Sequence, residues 1–183
     1  MTKPDINFLS ITEPGTIIED RQIIVPLPPV GSYWSDAVHV NVPDVIIRRC
    51  VIDARNCEEN AIDGNRAHNL LVEDCEIYAG KECALYLKGG ASNTMYRRVL
   101  IKWAGGHSDF YVGDYSDQSH DWCRNNQAED LARSDADPVR VRWAWGNRPI
   151  ITGNSHVKFQ YCLSFASFLY VALKTLLHPK SLP

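Results

Sequence analysis

Three side chains that could take part in acid–base chemistry recur at nearly equal intervals along the chain. They are His39, Asp63 and Tyr86, which are separated by 24 and 23 residues. A histidine and a carboxylate that lie together can act as a general acid and a general base. Glycoside hydrolysis, however, uses two carboxyl groups about 5 to 9.5 Å apart, and this set contains only one. The set is therefore a candidate glycan-binding face that lacks the second carboxylate needed for cleavage.

Two tryptophans form a second candidate site. Residues 139–145 alternate between arginine and apolar side chains and end in Trp143 and Trp145. Interleaved arginine and aromatic side chains can stack on sugars or bases. The same tryptophans could instead cover the last turn of the fold, and both interpretations stay open.

The sequence contains no established catalytic motif. His107 and Asp109, in the segment GGHSD, are expected to shape a turn. No dinucleotide fingerprint, phosphate-binding loop, nucleophile elbow or zinc-protease motif occurs. We therefore expect no cofactor and no enzymatic activity.

The six cysteines show no metal-binding pattern. No CxxC pair occurs and no His/Cys group has zinc-site spacing, so we expect no bound metal. Cys50, Cys75 and Cys162 recur at equivalent positions of an internal repeat, which is typical of small core residues. We predict that Cys50 and Cys75 are free thiols, because parallel stacking points both side chains the same way.

The internal repeat predicts the element that must position these side chains. Residues 45–52, 70–77 and 94–101 align at spacings of 25 and 24 residues, and residues 157–164 align with them more distantly. In each unit, two segments flank two polar residues, and in each segment inward-facing and outward-facing side chains alternate. This is the pattern of two short strands joined by a bend. Further strands are predicted at residues 37–40, 60–63, 84–87 and 110–113. Three short strands per turn of this length are typical of a parallel β-helix.

The repeat also predicts which side chains fill the core. The inward positions are Val45, Ile47, Cys50, Ile52, Leu70, Val72, Cys75, Ile77, Thr94, Tyr96, Val99 and Ile101. The residue before each unit is Asp44, Asn69 or Asn93, types that tolerate a left-handed backbone, so these residues should stack in a polar ladder. A β-sandwich with strands at similar intervals is the alternative architecture.

The segments DVIIRRCVIDARN and HNLLVEDCEIYAG resemble the repeats of pectate-lyase-like and tailspike-like right-handed β-helices. The resemblance covers roughly residues 37–113 and returns more faintly near 139–173. It implies an all-β fold, a single-stranded right-handed parallel β-helix that forms a short solenoid. Such folds serve lyases, hydrolases, adhesins and structural virion proteins alike, so the resemblance does not select a function.

The chain divides into a short solenoid with extended ends. Proline-rich residues 1–36 are predicted to form an arm and a cap, with capping strands at residues 17–18 and 23–25. We assign the other parts as the β-helix (37–173), a loop excursion within it (114–138) and a C-terminal tail (174–183).

The outward positions of the main strand are unexpectedly apolar. Ile46, Leu71 and Met95 should stack into a column on the outer face. The residues expected to flank this column are Val51, Leu100 and Trp103. A solvent-facing apolar row of this size needs a cover, which could be the N-terminal arm or a neighbouring subunit.

These features favour a structural protein of a bacteriophage particle. The net charge of -3 without a basic stripe argues against nucleic-acid binding, and no apolar stretch is long enough for a membrane span. No signal sequence is recognisable, so we expect synthesis in the host cytoplasm. The chain resembles β-helical capsid cement or decoration proteins, which implies a homotrimer bound to the major capsid protein on the virion surface. The alternative is a carbohydrate-active β-helix, either a polysaccharide lyase or hydrolase or a glycan-binding module.

Overall fold

The described part of the protein consists of short β-strands. The computed structural model describes residues 8–103, 106, 108–113, 123–143, 148–153 and 156–161. In chain order the strands are β1 (Leu9–Ile11), β2 (Ile17–Glu19), β3 (Gln22–Ile24), β4 (Val38–Val40), β5 (Ile46–Arg48), β6 (Val51–Asp53), β7 (Asn60–Asn65), β8 (Leu71–Glu73), β9 (Glu76–Tyr78), β10 (Cys83–Lys88), β11 (Met95–Arg97), β12 (Leu100–Trp103), β13 (Ser108–Val112), β14 (Gln127–Glu129), β15 (Ala132–Arg133), β16 (Val139–Trp143), β17 (Ile150–Thr152) and β18 (Val157–Tyr161). Within these ranges no helix is long and apolar enough to cross a membrane.

The strands form three sheets along a β-solenoid of about five turns. Each complete turn, here called a rung, contributes one strand to each sheet. The seven-stranded sheet has the order β1-β4-β7-β10-β13-β16-β18, the six-stranded sheet β17-β14-β11-β8-β5-β2, and the five-stranded sheet β15-β12-β9-β6-β3. Every pair of these strands is parallel, so the predicted parallel β-helix is confirmed and the sandwich alternative is wrong.

The core lies between the three sheets and holds the side chains that the repeat assigned to the interior. All twelve predicted inward positions are buried, because alternate residues of each strand point to the same side of its sheet. Cys50 and Cys75 are among them. Both are free thiols in adjacent rungs, as predicted.

Polar residues with a left-handed backbone make the corners of the rungs. The left-handed residues of the repeat units are Arg49, Asp74 and Arg98 at the bends, and Asp44, Asn69 and Asn93 before each unit. Asn69 Nδ2 donates a hydrogen bond to Asp44 Oδ1 at 2.8 Å, and Asn93 Nδ2 donates one to Asn69 Oδ1 at 3.4 Å. The predicted polar ladder is therefore confirmed, and it satisfies side chains that the tight turns require.

The first rung lies inside the segment assigned to the arm and cap. Strands β1, β2 and β3 pair in parallel with β4, β5 and β6, so the solenoid begins at Leu9 rather than near Ala37. Each of these strands has only three residues, and Pro14 separates the first two. The predicted capping strands at residues 17–18 and 23–25 overlap with β2 and β3, but the sequence did not show that they join β1 in a complete rung. Residues 1–7 of the predicted arm lie outside the described residues.

Part of the predicted loop excursion is also solenoid wall. Strands β14 and β15 fall within residues 114–138 and pair in parallel with β11 and β12. In β14 only Ala128 points into the core, between Gln127 and Glu129, so its apolar signal is weak. Residues 114–122 of the predicted excursion lie outside the described residues.

The most distant predicted repeat is wrongly placed. Strand β18 pairs with β16 in the seven-stranded sheet, whereas the units it was aligned with begin in the six-stranded sheet. Strand β17 occupies the equivalent position instead, paired with β14. Strands of both sheets show the same two-residue alternation, so the pattern alone does not distinguish them. Residues 162–183, which include Cys162 and the predicted tail, lie outside the described residues.

Candidate functional site

The candidate acid–base column lies on the outer side of the seven-stranded sheet. His39 pairs in register with Asp63, and Asp63 with Tyr86, so the stacking inferred from the spacing is correct. Tyr86 belongs to a small cluster with Cys83 and Tyr111 that is separate from the main core. Asp63 is 1% exposed and Tyr86 6%, which leaves His39 as the accessible member, with 35% of its side chain exposed. A buried tyrosine cannot serve as a sugar-stacking platform.

Two charged residues that the sequence did not point to complete this site. His39 Nδ1 lies 3.3 Å from Asp63 Oδ2 and 3.9 Å from Asp36 Oδ2. Lys88 Nζ lies 2.7 Å from the same Asp63 oxygen. Asp36 immediately precedes the strands of its rung and Lys88 ends β10, so neither stands in the column itself. We call Asp36, His39, Asp63 and Lys88 the His39 cluster.

The cluster is close to electrically neutral around neutral pH. Hydrogen bonds with the Asp36 and Asp63 carboxylates raise the pKa of His39 to about 9. Burial acts to raise the pKa of Asp36, but hydrogen bonds from His39 and Asn60 outweigh it and the pKa is lowered. Burial likewise acts to lower the pKa of Lys88, yet Asp63 outweighs it and the pKa is raised. An imidazolium and an ammonium thus balance two carboxylates.

One buried oxygen of the cluster lacks a hydrogen bond. Asp63 Oδ1 is buried and has no hydrogen-bond partner among the described residues. Buried carboxylate oxygens are normally paired, because an unpaired one has lost its hydration without compensation. Asp63 Oδ1 is therefore a buried acceptor in the cluster whose hydrogen-bonding capacity is unused.

The cluster's chemistry is limited by access. Asp36 supplies a second carboxylate, which the predicted column lacks, and the ligating atoms of Asp36, His39 and Asp63 lie within 4.8 Å of one another. Nδ1 is the ring nitrogen of His39 that faces both carboxylates, so proton exchange or ligand binding within the cluster involves this atom. Asp63, however, is too deeply buried to attack a bound sugar.

The predicted apolar column on the six-stranded sheet is present and longer than expected. Ile46 pairs in register with Leu71, and Leu71 with Met95, and all three are half-buried. Ile17 extends the column at one end and is 53% exposed. At the other end Gln127 stands next to Met95 and separates it from Ile150, which is 54% exposed. Residues 8–36 therefore lengthen the column instead of covering it.

The predicted flank of that column is discontinuous. Val51 and Leu100 lie on the five-stranded sheet and are separated in register by Glu76. Trp103 follows an irregularity in β12, stands opposite Tyr78 and is 44% exposed. The apolar surface is thus one column on one sheet, with isolated apolar residues on the next.

Charges of alternating sign run beside the apolar column. The register aligns Glu19, Arg48, Glu73, Arg97 and Glu129 on successive rungs. Arg48 Nη2 lies 2.7 Å from Glu19 Oε2, and Arg97 Nη2 lies 2.6 Å from Glu73 Oε2. The signal was present in the sequence, because successive bends are basic, acidic and basic. We call this series the charge ladder.

The remaining candidates offer no open chemical site. Trp143 is half-buried against the core with Arg148 over its ring, and Trp145 lies outside the described residues. Asp109 lies within β13, not in a turn, and is fully buried between Arg133 and Arg140. His107 lies outside the described residues. Sequence alternation could not show that Asp109 meets arginines that are 24 and 31 positions away.

Two of the buried thiols, Cys57 and Cys83, are poor nucleophiles. Burial raises the pKa of Cys57 to about 12 and that of Cys83 to about 11. Both thiols are therefore protonated at neutral pH, whereas the thiolate is the reactive form.

Comparison of the chain with protein-family models, with curated proteins and with solved structures finds no match. The function must therefore be argued from the two surfaces described above, the His39 cluster and the apolar column.

Proposed function

We propose that this protein is a structural component of a bacteriophage particle, a capsid cement or decoration protein that associates through the outer face of its six-stranded sheet. The observation that carries the proposal is the apolar column, with Ile46, Leu71 and Met95 at its centre. The partners we propose are two further copies of the chain, in a homotrimer, and the major capsid protein.

Solvation physics favours a cover for this column. A solenoid face that remains in water needs polar outward positions, whereas a contiguous apolar row is typical of an interaction surface. The charge ladder beside it is paired within the chain, so a docking partner would meet little net charge there. Removing the column from water would contribute about 25 cal/mol per Å² of apolar surface.

The limited access to reactive groups supports a non-enzymatic role. Asp63 is buried, and the described thiols lie in the interior. The link to a phage particle comes from the resemblance of the repeats to tailspike-like and cement-like β-helices, which assemble side by side. The proposed location is the capsid surface, after synthesis in the host cytoplasm.

A charge placed in the column tests the association. We expect Leu71→Lys to shift the protein from oligomer to monomer in size-exclusion chromatography with light scattering, while circular dichroism retains the β-sheet signal. Ile24→Lys is the matched control, because Ile24 is a partly exposed apolar residue on the five-stranded sheet. A wild-type protein that stays monomeric at all concentrations would contradict the proposal.

The particle itself provides the second test. The tagged wild-type chain should sediment with purified phage capsids, and mass spectrometry should detect it in washed particles. Leu71→Lys should reduce this recovery and Ile24→Lys should not. Equal recovery of both variants would show that the column does not mediate attachment.

A carbohydrate-active role is the second candidate, and one observation favours it. Asp36 places a second carboxylate beside His39, so the imidazole has two carboxylate neighbours for acid–base chemistry. The ligand atoms lie within 4.8 Å of one another, closer than the carboxylate separation of most glycosidases. The test is depolymerisation of acidic polysaccharides, followed by size-exclusion chromatography of the products. Cleavage that is lost in both Asp36→Asn and Asp63→Asn would establish this role in place of the structural one.

A further inference from the structure

The His39 cluster contains three groups that can ligate a metal. Asp36, His39 and Asp63 each offer one ligand atom, and these atoms lie within 4.8 Å of one another. We infer that they form a binding site for a single divalent transition-metal ion of the zinc class, in which the Lys88 ammonium occupies the place of the cation when no metal is bound. This inference is independent of the proposed association through the six-stranded sheet.

The distances fit one small ion. Two ligands that bind zinc with tetrahedral geometry at their usual bond lengths are about 3.4 Å apart. His39 Nδ1 lies 3.3 Å from Asp63 Oδ2 and 3.9 Å from Asp36 Oδ2. All three ligand atoms lie within 4.8 Å of one another, so the Asp36 side chain would have to move by up to about 1.4 Å to bring them to bonding distance of a common centre.

The donor atoms indicate the class of metal. Imidazole nitrogen favours zinc, copper, iron or nickel, whereas calcium and magnesium prefer sites made of oxygen alone. A set of one imidazole and two carboxylates therefore favours the transition metals. Three protein ligands leave at least one coordination position to water, as in open zinc sites.

The unpaired oxygen of Asp63 points independently to a missing ligand. Asp63 is 1% exposed, and its Oδ1 atom has no hydrogen-bond partner among the described residues. It belongs to the same carboxylate whose Oδ2 contacts His39 and Lys88. A metal ion bound through both oxygens of this carboxylate would give Oδ1 the partner that His39 and Lys88 do not provide.

A neighbouring residue already orients one ligand. Asp36 Oδ1 accepts hydrogen bonds from the Asn60 backbone amide at 3.0 Å and from the Asn60 side-chain amide at 2.9 Å. Asp36 Oδ2, the oxygen near His39, also accepts a bond from the Ser35 hydroxyl at 3.1 Å. Partners of this kind hold a ligating carboxylate in place and strengthen metal binding.

Lys88 gives the inference a distinctive test. Its ammonium lies 2.7 Å from Asp63 Oδ2, so it competes with a metal for that oxygen. Replacing lysine with methionine removes the competing charge but keeps a chain of similar length. We expect Lys88→Met to bind metal more tightly than the wild type, an effect opposite to that of removing a ligand.

The experiment is a calorimetric titration of the full chain, stripped with a chelator, with Zn²⁺ and separately with Ca²⁺. We expect one Zn²⁺ per chain, binding at least about tenfold weaker in Asp36→Asn and Asp63→Asn, and about tenfold tighter in Lys88→Met. Asp135→Asn is the control, because Asp135 is an exposed carboxylate paired with Arg133, and its affinity should equal that of the wild type.

Cysteine ligation must be distinguished from this site. With Co²⁺ in place of Zn²⁺, nitrogen and oxygen ligands give only weak visible bands, whereas thiolates add strong near-ultraviolet absorption. Thiolate bands, a preference for Ca²⁺, or equal affinity of the wild type and Asp36→Asn would each overturn the inference. Absence of binding in both the wild type and Lys88→Met would also overturn it. If circular dichroism shows that Asp63→Asn does not fold, the zinc affinities of the wild type and Asp36→Asn still test the inference.

Discussion

Two polar arrays on the outside of the same solenoid differ in how they arise. The charge ladder repeats on five successive rungs and stands beside the left-handed bends. Among the described residues the His39 cluster occurs once, and the same column continues with Ser10 before His39 and with Tyr86 and Tyr111 after Asp63. The fold therefore requires polar residues at the bends of every rung but requires no charge at the cluster.

The arrays also differ in solvation. Glu73 is buried, but Arg97 and Arg98, which bind it, remain substantially exposed, so water screens the charges of the arginines. Asp63 is almost fully buried, and its charge depends on Lys88 and His39. A repeated exposed array is what a solenoid needs to turn its corners, whereas a single buried one indicates a specific role.

The largest loss of stability should come from a substitution in the His39 cluster. We expect Lys88→Met to lower the free energy of unfolding by about 3 kcal/mol, because it leaves the Asp63 carboxylate with only His39 as a counter-charge. Urea denaturation followed by circular dichroism measures this change. Lys81→Met, which removes an exposed pair with Glu58, is the matched control and should have a much smaller effect. Equal losses of unfolding free energy in Lys88→Met and Lys81→Met would show that the buried ion pair stabilises the protein no more than an exposed one.

A substitution in the polar ladder of Asp44, Asn69 and Asn93 should cause the second largest loss of stability. Asn69 has a φ of 55° and takes part in two ladder hydrogen bonds. Asn69→Ala should cost about 2 kcal/mol, the sum of the left-handed strain and the lost bonds. Asn69→Gly should cost about 1 kcal/mol, because glycine tolerates the backbone and loses only the bonds. If the two variants unfold at the same urea concentration, backbone conformation is not what selects asparagine there.

A pH dependence of stability should follow from His39. Its pKa is raised from 6.5 to about 9, so its contribution is complete below about pH 6.5 and is lost as the pH rises through about 9. We therefore expect the urea midpoint of metal-free protein to fall between these values, and to fall less in His39→Gln. NMR titration of the imidazole checks the pKa directly. An imidazole that titrates near its ordinary value would contradict the contacts with Asp36 and Asp63.

The smallest loss of stability should come from a substitution in the charge ladder. Arg97→Gln removes a partly exposed partner of Glu73 while Arg98 remains, so the loss should stay below about 1 kcal/mol. High salt should reduce the difference between variant and wild type, because ions screen exposed pairs. A loss comparable to that of Lys88→Met, and insensitive to salt, would show that the ladder stabilises the solenoid far more than its exposure suggests.

The sequence by itself determined the rung. Alternation placed the twelve inward residues correctly, from Val45 to Ile101, and the asparagine and bend positions followed from left-handed backbone preference. These properties are local, because a strand's two-residue period and a residue's tolerance of positive φ need no distant partner. In the first rung the sequence predicted β2 and β3 only as capping strands and missed β1. It also missed β14, in which Ala128 is the one core residue.

Only the tertiary structure decided what the outer faces contain. Alternation aligned His39 with Asp63 but could not show that Asp63 is buried, or that Asp36 and Lys88 meet it. Lys88 follows Asp63 by 25 residues, and its ammonium reaches Asp63 because consecutive rungs stack β10 directly on β7. The physical reason is that burial and charge pairing depend on side-chain reach across rungs, which strand register fixes and sequence spacing does not.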